Sequence, residues 1–260
     1  MNVSNINLFV DASTTLKFSG EPADYLPVVL TRFEGTLVYN YSPLVYAPRV
    51  SNFAITGSGT LDGSGSKVFA KWSGKEKKDQ NKLRQLGNDT SPLNQRVFGA
   101  GHYLRPSMIQ PFNSTNVLIE GVTVKDSPFW VIHPTFCSNV TVRGVRVDST
   151  NANNDGCDPD SCADVLIEDC DFNTGDDCIS VKSGRDADAW KVGKPSQRIA
   201  IRNVVCSTRC NGSCAELVRL SGSIDDIETS IPGYMNECTI IESNIMVLVY
   251  LREIISQQSP

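Results

Sequence analysis

Short apolar runs of β-type recur along this chain at nearly constant intervals. In each run a polar residue is followed by an apolar residue, a variable residue and a second, branched apolar residue. The runs begin at Asn52, Asn116, Asn139, Asp164 and Arg198. The three steps after Asn116 are 23, 25 and 34 residues long, and the longest step contains the polar insertion GRDADAWKVGKPS. A period in the twenties with short β-type runs predicts a solenoid whose turns stack on one another.

The last apolar residue of each run is predicted to point into the interior of the solenoid. In the four clearer copies these positions are Ile119, Val142, Ile167 and Ile201. Parallel strands that are covered on the inside need apolar side chains there. Because side chains alternate along a strand, neighbouring positions face outward and are free for chemistry. The pattern therefore predicts an all-β fold made of stacked parallel strands.

One elongated domain over residues 1–260 accounts for this pattern. Its predicted parts are an N-terminal cap with the first turn (1–65), an exposed insertion (66–98), regular turns that carry the active site (99–207) and a divergent end expected to be truncated (208–260). The insertion is basic, is helix-prone from Lys75 to Leu86 and does not carry the repeat.

Composition narrows the class of protein without identifying it. The chain has 260 residues, of which 40% are hydrophobic and 20% charged, as in ordinary globular proteins. A net charge of -5 argues against a nucleic-acid partner. A run of 18 apolar residues is absent, so the sequence predicts no membrane-spanning helix. The first residues lack the features of a signal peptide, which predicts either a cytoplasmic protein or a chain that begins inside a longer precursor.

The cysteines are concentrated in the second half of the chain. There are nine, all at or after Cys137. Cysteine often behaves as a small apolar residue, so five of them are predicted to stack inside the solenoid: Cys157, Cys162, Cys170, Cys178 and Cys206. A disulfide between Cys210 and Cys214 and, less favoured, a zinc site are the alternatives.

A dense acidic cluster lies on two neighbouring repeats. Nine carboxylates and no Lys or Arg occur from Asp155 to Asp177. Such a cluster repels itself unless it has a cationic ligand, protonated members or solvated positions. Asp176 and Asp177 follow Asp155 by 21 and 22 residues, which is close to one repeat. Since stacked strands lie about 4.8 Å apart, Asp155 is expected beside the pair.

These motifs resemble glycoside hydrolase family 28, the polygalacturonase and rhamnogalacturonase family. The resemblance is carried by Asn-x-Asp at 153–155 and Gly-Asp-Asp at 175–177, together with the upstream segments RPSMIQ and DSPFWVIHP, and it extends from about Leu8 to Ser207. It implies a right-handed parallel β-helix that hydrolyses pectin without a cofactor or metal.

The resemblance also implies a role for each aspartate. Asp176 would be the general acid that protonates the glycosidic oxygen, and Asp155 and Asp177 would activate the attacking water. Inverting hydrolysis needs one protonated and one ionised carboxyl group, and crowding raises the pKa of at least one. Asn153 would orient Asp155 or the substrate. The alternative is that these are solvated turn residues, since Asn-Asp-Gly is a good turn sequence.

Three basic residues are candidates for contact with the galacturonate carboxylates. Lys182 is expected to face outward on the catalytic side, because Ile179 and Val181 alternate inward. Arg105 and His133 lie in the two upstream segments and are expected to border the cleft. For each of the three, an ordinary solvated or packing role is the alternative.

The chain departs from the family pattern on the turns that follow Gly-Asp-Asp. A G-H-G motif on the turn after Gly-Asp-Asp and an R-x-K motif on the next turn are both absent, and the only histidines are His102 and His133. Where G-H-G belongs, the sequence is CSTRCNGSCAELVRL. Either the last quarter is incomplete or altered, or the chain represents a branch with a different arrangement. Loss of these motifs is expected to lower the rate strongly.

Three functions are therefore compared. The favoured one is hydrolysis of α-linked galacturonic acid, with exo-acting or rhamnogalacturonan-specific cleavage left open; the second is a non-catalytic β-helix that binds acidic polysaccharides. The third is a calcium-dependent lyase, disfavoured because Cys162 stands where a calcium loop needs its bidentate Glu. A pectic polysaccharide is the expected partner, with no nucleic acid or membrane. We expect a monomer that is extracellular or periplasmic, as this substrate class requires.

Overall fold

The computed structural model describes residues 3–208, 215–218, 224–230 and 248–249. Its strands are β1 (Ile6–Val10), β2 (Thr15–Lys17), β3 (Val29–Phe33), β4 (Thr36–Asn40), β5 (Val45–Pro48), β6 (Ser51–Gly57), β7 (Thr60–Asp62), β8 (Val97–Phe98), β9 (Ile109–Phe112), β10 (Thr115–Glu120), β11 (Thr123–Lys125), β12 (Ser138–Arg143), β13 (Arg146–Ser149), β14 (Ala163–Glu168), β15 (Asp171–Thr174), β16 (Ile179–Lys182), β17 (Ser196–Arg202), β18 (Val205–Thr208), β19 (Ala215–Val218), β20 (Ile224–Ser230) and β21 (Leu248–Val249). The α-helices are α1 (Lys77–Asn88) and α2 (Asp186–Val192), and 3-10 helices occur at Pro22–Tyr25, Phe69–Trp72 and Leu93–Gln95.

The predicted repeat forms one long column of parallel strands. This first column has the order β1-β6-β10-β12-β14-β17-β20-β21. Val117 pairs with Val140, Val140 with Val165 and Val165 with Ile199, so equivalent positions of successive runs lie side by side. The register inferred from the sequence is confirmed.

Two further columns complete each turn of the solenoid. The second column has the order β2-β7-β11-β13-β15-β18. The third is formed by β5 and β9, by single bridges through Ile132 and Cys157, and then by β16 and β19. Each turn adds one parallel segment to every column, which is a parallel β-helix. The fold class predicted from the sequence is confirmed.

Branched apolar residues and cysteines fill the interior of the helix. Ile119, Val142, Ile167 and Ile201 are each 0% exposed. The five cysteines predicted to stack there belong to the same apolar core, four of them buried and Cys206 partly buried. The alternative disulfide between Cys210 and Cys214 lies outside the described residues.

The polar residue that opens each run forms a ladder on the outside of the helix. Asn116 donates from Nδ2 to Oδ1 of Asn52 over 2.8 Å, and Asn139 donates in the same way to Asn116 over 2.8 Å. All three have left-handed backbones, with φ between +54° and +57°. Asparagine tolerates this conformation better than most residues. Geometry and hydrogen bonding together therefore explain why asparagine recurs at this position.

The insertion is not uniformly exposed, and the sequence expectation was wrong for one of its faces. Helix α1 lies close to the expected range, but Glu76, Asp79 and Leu83 are at most 7% exposed. Leu83 packs into a separate apolar cluster with residues of β3, β4 and β8. The two acids accept hydrogen bonds from outside the helix, Asp79 from Tyr103 and Glu76 from Arg105. The pattern of the helix alone does not predict this burial, because the covering residues lie in other segments of the chain.

Helices in the described ranges are short and amphipathic or polar. None of them is long and apolar enough to cross a membrane. The predicted divergent end, 208–260, lies outside the described residues except for the end of β18 and three later strands. Of these, β19 pairs with β16 and β20 pairs with β17, both in parallel. The segment in which the G-H-G and R-x-K motifs are missing is therefore described only in part.

We expect the Asn116 ladder to contribute measurably to stability. Asn116→Gly removes two ladder hydrogen bonds but keeps the backbone relaxed, so the free energy of unfolding should fall by about 1 kcal/mol. Asn116→Ala removes the same bonds and puts into the left-handed region a residue that tolerates it less well than asparagine or glycine, which should cost about 1 kcal/mol more than Asn116→Gly. Urea unfolding of both variants measures the difference, and equal stabilities would show that backbone strain does not select asparagine here.

Candidate active site

Two stacked turns bring the predicted aspartates together. The first connects β13 to the third column and carries Asp155; the second connects β15 to β16 and carries Asp176 and Asp177. The N–H of Gly156 donates to the carbonyl oxygen of Asp177 over 2.9 Å, which fixes the two turns in register. Gly175 is required by this close approach, because a Cβ there would lie 2.1 Å from the carbonyl oxygen of Asn151.

Lys182 lies between two buried carboxylates. Its Nζ is 3.3 Å from Oδ2 of Asp155 and 3.1 Å from Oδ1 of Asp158, and it donates to Oγ of Ser180 over 2.6 Å. The ring of Trp130 covers the ammonium, with Nζ 4.3 Å from the ring centroid. Lys182 is only 4% exposed. Its charge therefore faces protein carboxylates rather than solvent.

Burial and charge compensation set the protonation of this group. Burial raises the pKa of Asp155 to about 6, although Lys182 opposes the shift. Burial and the neighbouring charge of Asp155 raise the pKa of Asp158 well above its usual range. Burial alone would lower the pKa of Lys182, but Asp158 and Asp155 outweigh it and raise that pKa. One cation thus accompanies two buried carboxyl groups whose pKa values are both raised.

Asp176 has a different environment and is the more accessible carboxyl group. It is half-buried, whereas Asp177 is 6% exposed. Asn153 donates from Nδ2 to Oδ2 of Asp176 over 3.3 Å, and the N–H of Asp177 donates to its Oδ1 over 3.1 Å. Burial, followed by the charge of Asp177, raises the pKa of Asp176. A partly exposed carboxyl group with a raised pKa is suited to donate a proton.

Arg105 is buried beside Asn153 and is fully occupied by protein acceptors. It is 0% exposed. Its Nε and Nη2 donate to the two carboxylate oxygens of Glu76 over 2.8 and 2.5 Å. Nη2 also donates to Oδ1 of Asn153 over 2.7 Å, and Nη1 donates to the carbonyl oxygen of Ala152 over 2.7 Å. Arg105 therefore contacts the carboxyl group of Asp176 only indirectly, through Asn153.

His133 lies beneath the site and is 0% exposed. Its Nδ1 is 3.0 Å from Nε2 of Gln110, which can only donate, so the ring proton lies on Nε2. That atom faces Oδ2 of Asp160 over 3.7 Å. Burial lowers the pKa of His133, and Asp160 opposes the shift. The ring contacts Trp130 edge-on, so His133 supports the indole that covers Lys182.

The structure brings together five of the predicted site residues: Asp155, Asp176, Asp177, Asn153 and Lys182. Arg105 is joined to this group by its hydrogen bond to Asn153. His133 lies on the neighbouring turn. Lys182 faces the carboxylates of the site, while Ile179 and Val181 point into the core, but it is only 4% exposed and not open to solvent. The predicted positions of Arg105 and His133 at the border of a cleft differ from what is observed, because both are 0% exposed. Compensation of nearby buried carboxylates holds Lys182 and Arg105 inside.

Sequence reasoning missed Asp158, Glu76 and Trp130. A signal for Asp158 was present: Asp160 precedes Lys182 by 22 residues, about one repeat, so Asp158 is expected on the same outward face two positions earlier. The sequence holds no comparable signal for Glu76, because it lies in the insertion outside the repeat. Among the residues that the structure describes, no group of three or more His, Cys, Asp or Glu side chains is arranged to hold a metal ion.

Comparisons with known proteins agree with the fold and with the motifs. The sequence profile of the family described as "Glycosyl hydrolases family 28" matches residues 99–212. A probable polygalacturonase of Vitis vinifera is 30% identical over 190 residues, covering 72% of this chain and 34% of that protein. A polygalacturonase of Ralstonia solanacearum is 27% identical, over 69% of this chain and 38% of its own length.

Solved structures give the same picture. An exopolygalacturonase from Thermotoga maritima is 42% identical, with a TM-score of 0.80, and the match covers 88% of this chain and 57% of that one. A polygalacturonase from Erwinia carotovora is 20% identical with a TM-score of 0.55, over 87% of this chain and 56% of that one, which shows the fold alone. The chain spans about a third of the length of the curated relatives and about half that of these structures.

Fold and site together define a parallel β-helix protein with clustered carboxyl groups on two adjacent turns. The matches to the family profile, to the curated relatives and to the Thermotoga maritima structure identify the family. The chain belongs to glycosyl hydrolases family 28.

We expect Lys182→Met to destabilise the protein in a pH-dependent manner. Above pH 7 the substitution leaves the Asp155 and Asp158 pair buried without a cation, and loss of one partner of a buried ion pair typically costs about 3–5 kcal/mol. As pH falls through about 6, Asp155 becomes neutral, so the lysine loses its ionised partner and the difference from the wild type should shrink.

Urea unfolding at pH 8 and at pH 4.5 measures this effect. Lys17→Met is the matched control, because Lys17 pairs with Asp62 at the surface over 3.8 Å and its loss should change stability little at either pH. A cost for Lys182→Met that does not depend on pH would contradict the proposed charge compensation.

Proposed function

We propose that this chain provides the active site of a glycosidase that hydrolyses α-linked galacturonic acid in pectin-type polysaccharides. The observation that carries the proposal is the stacking of Asp155, Asp176 and Asp177 on adjacent turns, with raised pKa values for two of them. Family membership and similarity to proteins named polygalacturonase support the substrate class.

The chemistry requires one proton donor and one proton acceptor on opposite sides of the glycosidic bond. Asp176, with its raised pKa, protonates the leaving oxygen as the bond from the anomeric carbon to that oxygen breaks. Water attacks the anomeric carbon from the opposite face and transfers a proton to Asp155, assisted by Asp177. No covalent intermediate forms, so the configuration at the anomeric carbon inverts.

Burial favours a supporting role for the basic residues. Contact of Lys182, Arg105 and His133 with substrate carboxylates stays a prediction. Their observed partners are Asp155 and Asp158 for Lys182, and Glu76 and Asn153 for Arg105. We infer that Lys182 stabilises the ionised form of Asp155, the form that is able to accept a proton.

Similarity to an exopolygalacturonase at 42% identity supports removal of sugars from chain ends. The substrate class further implies action outside the cytoplasm, in the extracellular space or the periplasm, and we propose that the protein acts there as a monomer. Because the sequence lacks the G-H-G and R-x-K motifs, we expect slower turnover than in family members that carry them.

Two other functions are distinguished by their products. A β-helix that only binds acidic polysaccharides would retain affinity for polygalacturonic acid without turnover. A lyase would leave an unsaturated uronate at the new end, whereas a hydrolase leaves a saturated one. Proton NMR of the first products identifies their anomeric configuration, and their size separates cleavage at chain ends from cleavage within the chain.

We expect Asp176→Asn to abolish release of new reducing ends from polygalacturonic acid, because the amide has no proton to give to the leaving oxygen. The loss should be 100-fold or more at unchanged fold, of the order that general acid catalysis supplies. Asp171→Asn is the matched control, because Asp171 is exposed on β15 and its ion-pair partner there is Arg146 at the surface, over 3.9 Å. Equal release by wild type and Asp176→Asn would exclude the proposed role.

One limb of the pH–rate profile should report Asp155. Since burial raises its pKa to about 6, that limb of kcat/KM should lie near pH 6. Lys182→Met removes the cation that opposes this shift, so the limb should move to higher pH. Lys17→Met should leave it in place. A limb that does not move in Lys182→Met would show that Asp155 is not the general base.

A further inference from the structure

The insertion contributes a buried carboxylate to the neighbourhood of the candidate site. Glu76 lies immediately before α1 and is 3% exposed. Its two carboxylate oxygens accept from Nε and Nη2 of Arg105 over 2.8 and 2.5 Å. A bidentate pair of this kind fixes the plane of the guanidinium as well as its position. Glu76 therefore determines where the remaining donors of Arg105 point.

Those donors hold the turn that precedes Asp155. Nη1 of Arg105 donates to the carbonyl oxygen of Ala152, and Nη2 donates to Oδ1 of Asn153, each over 2.7 Å. The guanidinium also packs over the ring of Phe129, 4.8 Å from its centroid. Asn153 has a left-handed backbone with φ of +56°. Two adjacent residues of a strained turn are thus fixed by one side chain.

The same contact decides which way the amide of Asn153 points. A guanidinium has donors only, so the atom of Asn153 that faces Arg105 must be the oxygen. The amide nitrogen then faces Asp176 and donates to its Oδ2 over 3.3 Å. The hydrogen bonds form a continuous path from the insertion to the candidate general acid.

We propose that Glu76 is a positioning residue of this active site, acting through Arg105 and Asn153 on the carboxyl group of Asp176. The effect on catalysis rests on the function proposed above; the effect on Asp176 itself does not. Glu76 lies outside every motif of the repeat, so the insertion becomes part of the active-site architecture instead of a surface addition.

A second buried acid, which lies on α1 itself, shows what a purely structural contact looks like. Asp79 is 7% exposed and also ties α1 to the body. Its Oδ1 lies 2.8 Å from Nδ1 of His102, and its Oδ2 accepts from the N–H of Tyr103 over 2.8 Å. Neither partner is hydrogen-bonded to Asn153 or Asp176 among the described contacts. Asp79→Asn is therefore a matched control for loss of an anchoring carboxylate.

The principal test replaces both members of the pair, as Glu76→Gln/Arg105→Met. Because two opposite charges are removed together, the net charge near Asp176 is unchanged and no buried charge is left alone. Asn153 loses its anchor and its donation to Asp176 weakens, and this donation favours the ionised carboxylate. We expect kcat to fall about 10-fold with KM within twofold, and the limb of the pH–rate profile that reports Asp176 to move to higher pH.

Asn153→Ala should reproduce both changes, and adding it to the paired variant should have little further effect, because the residues act in one path. Asp79→Asn should leave kcat and the pH profile unchanged even if the melting temperature falls. Should the paired variant not fold, a double-mutant cycle on kcat with Glu76→Gln and Asn153→Ala tests the proposal instead. If the double variant loses kcat by the product of the two single losses, the two residues act independently and the proposal is overturned.

Titration of the Asp176 carboxyl carbon by 13C NMR, assigned with Asp176→Asn, tests the positioning without substrate. An upward shift of its pKa in the paired variant and in Asn153→Ala, but not in Asp79→Asn, would support the proposal even if the wild type releases no sugar, which would reject only the glycosidase function. An unchanged titration, an equal shift in Asp79→Asn, or a rise in KM at constant kcat would overturn it.

Discussion

Parallel stacking of successive turns in register is the constraint on which the rest of this structure depends. It places Val117, Val140, Val165 and Ile199 side by side in the first column, and it places the turn of Asp155 against the turn of Asp176 and Asp177. Residues that are distant in sequence become neighbours because strands repeat at about 4.8 Å. The same geometry brings like charges together, so the fold creates an electrostatic problem where it creates the site.

The chain resolves that problem with buried cations of fixed position. Lys182 accompanies Asp155 and Asp158, and Arg105 accompanies Glu76. A third buried pair, Arg32 with Asp160 over 2.9 Å, joins β3 to the third column beneath His133. Buried charges are tolerated only when they are paired in good geometry. These pairs therefore also fix how the hairpin of β3 and β4 and the insertion lie against the β-helix.

Much of this arrangement could be predicted from the sequence, and the parts that could not have a physical reason. Periodicity revealed the first column and the apolar interior, and the spacing of Asp155 and Asp176 revealed that they are neighbours. Burial of Lys182 was missed because strand alternation gives a direction and not the cover supplied by Trp130. Glu76 was missed because it lies in the insertion, outside any repeat, and its partner Arg105 is 29 residues further along the chain.

The two candidate proton-transfer groups are tuned from opposite sides of the site. Asp155 is controlled from the third column, where burial raises its pKa and Lys182 limits the rise. Asp176 is controlled from the insertion, through the amide of Asn153 that Arg105 orients. Separate environments allow two carboxyl groups of the same type to differ in protonation at one pH, which acid and base roles require. A repeat alone would give both turns the same surroundings, so Lys182, which acts on Asp155, and the irregular insertion, which acts on Asp176, make the two carboxyl groups unequal.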